Sequence, residues 1–177
     1  LSEDFDLFSD KEVYLPSVVA FLTKIATKTG IVKREHRPFM GLHSFMLLLK
    51  TGEKFKMDFN FYPHPRINIG KKYKNLPIDS LYDIAVNKVH TLFMKPRARD
   101  YIDIFFIFNN TDFTMEQLIK DAKAKFDWHI DPLLLGSQLK KVTTIADLPK
   151  MLVPFDKKEM DEFFLKLAKS LEKDIFK

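Results

Sequence analysis

Asp4 and Asp6 are separated by one residue in Asp4-Phe5-Asp6-Leu7-Phe8, a run that alternates polar and apolar side chains as a half-buried strand does. On a strand both carboxylates project from one face, about 7 Å apart at the backbone for a rise of ~3.3 Å per residue. Two like charges at that spacing repel unless a cation lies between them, and hard oxygen ligands favour Mg²⁺ or Mn²⁺. A lone Asp-x-Asp is a weak signal, since most such tripeptides are solvated turns, but Phe5, Leu7 and Phe8 are poor turn residues. Asp58 is the third candidate. It stands in Lys54-Phe55-Lys56-Met57-Asp58-Phe59-Asn60-Phe61, where Phe55, Met57, Phe59 and Phe61 share one face and Lys56, Asp58 and Asn60 the other. Three carboxylates from two adjacent strands can hold two metal ions, one activating a hydroxyl and the other binding a triphosphate and the leaving pyrophosphate. On spacing alone, the ordinary reading of Asp58 as a polar-face residue in water comes first.

Lys88 follows Ile84 by four positions and Leu81 by seven, so it interrupts the apolar face of a helix. A buried ammonium needs a partner. Asp100 and Asp103, three apart in the next helix and preceded by Arg97 and Arg99, are the candidates. Lys88 either pairs with one of them across a helical hairpin, reaches a phosphate while an aspartate orients it, or snorkels to the surface. His36, His43, His64, His90 and His129 lack metal-ligand spacing, and no Ser/His/Asp constellation is visible. Lys71-Lys72-Tyr73-Lys74 mixes charge with an aromatic that could grip RNA, although a solvated loop is the simpler reading.

Positioning these residues takes a small sheet and several helices. Pro16 suits a first helical turn and Gly30 a helix end, which predicts an amphipathic helix over residues 14–29. Strands follow at 31–37, 44–49 and 54–62, with Thr51-Gly52 as a turn. The continuously apolar stretch 45–49 suits a central strand covered on both faces. Ser80 and Asp83 resemble a capping box opening a helix to Met94, and further helices are predicted over 96–108, 114–126, 131–141 and 157–175. The class is α/β or α+β: a sheet lobe over 1–75, then a helical lobe over 76–177. Leu1 is not a methionine and the first strand has no lead-in, so further chain upstream is expected.

With 46% apolar residues the chain can bury a core, and no apolar run approaches the ~20 residues of a membrane span. The absence of cysteine excludes disulfides and thiolate metal sites and agrees with a cytoplasmic location. The net charge of +5 is unevenly spread. Residues 1–12 carry five acidic side chains against Lys11, whereas residues 13–76 carry twelve Lys or Arg against Glu35, Glu53 and Asp58. A basic surface beside an acidic patch suits a protein that holds a polyanion while chelating divalent metal.

Two segments together resemble the AbiEii/AbiGii toxin family, a branch of the nucleotidyltransferase superfamily related to DNA polymerase β. They are Leu1-Ser2-Glu3-Asp4-Phe5-Asp6-Leu7-Phe8-Ser9 and Ser80-Leu81-Tyr82-Asp83-Ile84-Ala85-Val86-Asn87-Lys88, the latter running through Leu92 into Ala98-Arg99-Asp100-Tyr101-Ile102-Asp103. Asp131-Pro132-Leu133-Leu134 fits as well. The resemblance implies a nucleotidyltransferase fold, a small mixed sheet flanked by helices with a helical C-terminal half. It implies metal at Asp4, Asp6 and Asp58, with Lys88 and Asp100 matching the family's motif lysine and aspartate, and Lys88, Arg99 and Asp103 disposed toward nucleotide. The superfamily's Gly-Gly or Gly-Ser turn before Asp-x-Asp is missing here, and Gly136-Ser137 is too far downstream to replace it.

The activity implied is transfer of a nucleotide from an NTP to an RNA hydroxyl, tRNA foremost, with Mg²⁺ or Mn²⁺, by the toxin of a type IV toxin–antitoxin system opposed by a separate antitoxin. Two alternatives stand beside it: an inactive module that holds RNA or a partner protein, and the same chemistry directed at a protein or a small molecule.

Overall fold

The computed structural model describes residues 4–172 of the chain. They fall into two units divided after His64, each with its own core. The Leu1-Ser2-Glu3 part of the resemblance and the end of the helix expected to reach 175 lie outside the described residues.

The first unit runs β1 (Asp4–Ser9), α1 (Leu15–Thr29), β2 (Ile31–Phe39), β3 (Leu42–Leu49) and β4 (Lys54–Phe61). Helix α1 has Pro16 in its first turn and stops at Gly30, whose N–H closes the last bond to the Ala26 carbonyl at 2.9 Å and whose left-handed backbone (φ 75°) turns the chain out of the helix. The four strands form one mixed sheet in the order β1-β4-β3-β2. β2, β3 and β4 pair antiparallel, while β1 lies parallel to β4. The expected turn at Thr51-Gly52 joins β3 to β4, with Gly52 at φ 86°. Between β2 and β3 the chain turns on Met40 and Gly41, both at positive φ (43° and 80°), the backbone of a two-residue hairpin.

Phe45, Leu47, Val18 and Leu22 are buried together, with Phe55, Met57 and Phe59 packed against them, so α1 covers one face of the sheet. The stretch 45–49 does form a central strand, but only Phe45 and Leu47 are buried. Met46 and Leu48 are half-buried. The reason is that α1 lies on one side only, and the opposite face carries charged groups.

The second unit holds the exposed two-strand hairpin β5 (Lys72–Tyr73) and β6 (Leu76–Pro77), then α2 (Leu81–Met94), α3 (Ala98–Asn109), α4 (Met115–Phe126), α5 (Pro132–Lys140) and α6 (Lys157–Ser170). Four of these helices start on a side-chain cap. Ser80, Thr114 and Asp131 accept hydrogen bonds from Asp83, Gln117 and Leu134 backbone N–H groups, and Asp156 accepts one from Lys158. The apolar faces of all five helices meet in one cluster that includes Val86, Leu92, Tyr101, Leu118, Leu139 and Phe164. The Tyr101 hydroxyl, buried in it, donates to the Gln138 carbonyl at 2.6 Å. Among the described residues no helix is long and apolar enough to cross a membrane.

Candidate active site

Strand register lines up the residues of the open sheet face in rows. Asp6 pairs with Asp58, Asp58 with Ser44, and Ser44 with Arg37, so one row crosses all four strands. The next row holds Asp4, Lys56, Met46 and Glu35. Registered partners share a face, and neighbouring strands lie about 4.8 Å apart, which places Asp6 and Asp58 side by side with Asp4 one row away. Asp58 is only 6% exposed, whereas Asp6 is exposed.

Both oxygens of Asp58 are engaged. The Ser44 hydroxyl donates to Oδ1 at 2.7 Å, and Lys56 Nζ lies 2.7 Å from Oδ2. The same ammonium is 3.9 Å from Asp4 Oδ2. Its hydrogen bond to Asp58 raises the Lys56 pKa above the ordinary lysine value despite partial burial, with the charges of Asp58, Asp4 and Asp6 adding to the effect. A cation thus already sits among these carboxylates. Among the described residues no three acidic or histidine side chains converge as a ready-made metal group. The donor set still fits a hard divalent ion: carboxylates on one face of two adjacent strands, one of them buttressed by a hydroxyl, around a point that attracts positive charge. Lys56 and Ser44 carry no functional weight in the sequence. Alternation puts Lys56 on the Asp58 face, but only the β1–β4 register reveals that it also meets Asp4.

In the second unit Lys88 does not choose between its two candidate partners. Its Nζ lies 2.8 Å from Asp100 Oδ1 and 2.6 Å from Asp103 Oδ2, linking α2 to α3. Burial pulls the Lys88 pKa down, but the hydrogen bonds to Asp100 and Asp103 outweigh it and leave the group raised. Burial likewise pushes Asp100 up, yet the Lys88 ammonium and the Arg97 backbone N–H hold its carboxyl below the ordinary range. Arg97 N donates to Asp100 Oδ2 at 2.9 Å, and Arg97 Nε is 3.3 Å from the same oxygen. Arg97, rather than Arg99, is therefore the arginine at Asp100; Arg99 lies exposed on the first turn of α3.

Two further groups escaped the sequence. His36 Nε2 and His43 Nδ1 meet at 3.1 Å across the β2–β3 hairpin. Lys125 Nζ pairs with Asp83 Oδ1 at 3.0 Å, both side chains essentially excluded from solvent. Asp83 also accepts from the Ile67 and Asn68 backbone N–H groups and the Ser80 hydroxyl.

Residues 1–175 match the model of a family described as nucleotidyl transferase AbiEii toxin, type IV TA system. Among solved structures the chain is similar to JHP933 from Helicobacter pylori, at 20% identity and a TM-score of 0.57, covering 99% of this chain and 77% of that one. A second H. pylori crystal structure, described as a candidate nucleotidyltransferase, aligns at 21% identity and a TM-score of 0.55 over 99% and 80% of the two chains. These likenesses show a shared fold. No curated protein sequence matches.

Proposed function

Because this chain belongs to the AbiEii nucleotidyl transferase toxin family of type IV toxin–antitoxin systems, we propose that it transfers a nucleotide from an NTP to a hydroxyl of RNA, tRNA foremost, in the cytoplasm. The family implies a cognate antitoxin and a nucleotide substrate. The observation that carries the rest is the placement of Asp6 beside Asp58 on adjacent parallel strands, with Asp4 one row away and an ammonium drawn in among them.

In this reading Asp4, Asp6 and Asp58 hold Mg²⁺ or Mn²⁺. Bound divalent ions would make an acceptor hydroxyl more acidic and offset triphosphate charge. Asp58 completes the donor set and helps take the acceptor proton, while Ser44 fixes its orientation through the 2.7 Å hydrogen bond. Lys88 neutralises phosphate charge, held in one rotamer by Asp100 and Asp103. Arg99, exposed at the start of α3, and Asp103 contact nucleotide.

Incubation of the protein with labelled NTPs, Mg²⁺ and total tRNA should give labelled RNA, and Asp6→Ala should abolish the label. No label from the intact protein would reject the reading. Lys56 among the carboxylates favours a second one, an inactive module that only binds RNA or a partner protein. Calorimetric titration separates the two, since such a module has no Mg²⁺-dependent affinity for NTP.

A further inference from the structure

The open sheet face does not end at the carboxylates. Along β2, alternation and register put Lys33, Glu35, Arg37 and Phe39 on the same face as Asp4, Asp6, Lys56 and Asp58. Arg37 stands in the row of Asp6 and Asp58. Phe39 stands in the adjoining row with Leu42, Asn60 and Phe8. Charge is therefore sorted across the sheet, acidic on β1 and cationic on β2.

The β2 edge combines two features that rarely serve a core. Phe39 is 67% exposed, an aromatic ring presented to water at the tip of a hairpin. The turn beside it is fixed by the positive φ angles of Met40 and Gly41, so the ring sits at the end of a defined strand rather than on a wandering loop. Two residues before it, the Arg37 side chain is 77% exposed. Among the described residues its one ion pair, with Glu35, is loose at 3.8 Å, while Glu35 is held more closely by Lys33 at 2.9 Å. A guanidinium carries five donors, and a contact at 3.8 Å leaves most of them for another acceptor. A cation and an exposed ring two residues apart on one face match a phosphate and its base in an unpaired strand, which offers both a charge and a π-face. A duplex hides its base faces, so it does not fit.

Distance separates this anion site from the carboxylates. Three strand spacings of about 4.8 Å put the Arg37 backbone about 14 Å from that of Asp6. Asp58 is one strand nearer, and Ser44, Met46 and Leu48 on the intervening β3 offer no cation. We infer that Arg37 and Phe39 form the docking edge for single-stranded RNA, Arg37 taking an internal phosphate and Phe39 stacking a base, with the strand running across the sheet toward the carboxylates. Lys33 adds charge to the same edge. This rests on the transfer reading for the direction of the strand, but not for its binding.

The test is therefore made on binding first. A fluorescent single-stranded oligoribonucleotide is titrated with the protein in EDTA, without NTP, and followed by anisotropy over a range of salt. Phe39→Ala should weaken binding about tenfold while Phe39→Tyr keeps it. Arg37→Gln should weaken it and lower the salt dependence by about one phosphate contact. Both positions are exposed, so the thermal transitions of the variants should match the parent and exclude misfolding. In the transfer assay the same variants should raise KM for RNA with kcat held. An intact protein that does not bind the oligonucleotide, or variants that bind it as the parent does, would overturn the docking edge. If no transfer is seen while Arg37→Gln and Phe39→Ala still weaken binding, the docking edge stands and the transfer reading alone falls.

Discussion

Lys56 holds its ammonium between Asp58 and Asp4, and its raised pKa keeps it charged through the neutral range. On the transfer reading, a divalent ion held by these carboxylates would displace that ammonium. Lys56→Met should leave the buried Asp58 without its counter-charge and lower stability by about 1–3 kcal/mol when metal is chelated. Mg²⁺ should then restore it, because the ion replaces the lost cation. Thermal unfolding in EDTA and in Mg²⁺ reads this directly, and a variant indifferent to Mg²⁺ would count against the carboxylates as a metal site. For the parent the sign is that of a raised lysine: the Lys56 contribution is full below the ordinary lysine pKa of ~10.4 and fades as pH climbs through the higher folded value. At this scale, alternation along 54–61 was enough to put Asp58 and Lys56 on a polar face. What Lys56 does there was not legible, because it depends on which residue of β1 lies opposite, and nothing local to either strand encodes that register. Lys88 shows the converse. Its position on an apolar helix face left a buried partner, a phosphate contact and snorkelling all open, and the two aspartates three apart in α3 were already visible; that both bind it is a matter of helix-pair geometry.

Helix α2 is tied to α4 by the Asp83–Lys125 pair and to the chain before it by the Ile67 and Asn68 N–H groups on Asp83. Burial raises the pKa of Asp83, but the Ile67 N–H, the Ser80 hydroxyl, the Asn68 N–H and Lys125 together bring it below the ordinary carboxylate value. Asp83→Asn would strand a buried ammonium and should cost about 3–5 kcal/mol near neutral pH. A depressed carboxylate stabilises above its unfolded pKa of ~3.9 and loses that contribution as pH falls through the folded value. The gap between parent and variant should therefore narrow on acidification below about pH 4. Denaturant unfolding at several pH values checks it, and a constant gap would mean that Asp83 does not titrate with folding. Most elements were legible from caps and periodicity: Pro16 and Gly30 bracket α1, and Ser80 opens α2. The hairpin turn at Met40-Gly41 was not, since methionine is an unusual choice for positive φ and only the glycine signals it. Lys125 follows Leu118 by seven and Ala122 by three, the same interruption of an apolar face that singled out Lys88. That signal is faint in the sequence, because α4 is otherwise so polar.

On the scale of the whole chain, apolar burial is unequally shared. The helical unit has a continuous cluster running from Ala85 to Leu171, while the sheet unit has four buried apolar side chains among its described residues. A unit near 60 residues buries too little surface to be more than marginal alone. A fragment of residues 65–177 should keep a cooperative thermal transition and helical circular dichroism, whereas a broad, featureless melt would show that its cluster is not self-sufficient. The mixed sheet and the helical half follow from the order of patterns in the sequence, but the break after His64 falls in a stretch without strong periodicity. The exposed strand β2 has one more consequence. It is an edge, and an edge of nine residues is a template on which another sheet can grow. Lys33, Arg34, Arg37 and Pro38 spoil that template, three by charge and one by withholding a backbone donor. The cations offered to a nucleic acid are thus also what keeps one molecule from zipping onto the next.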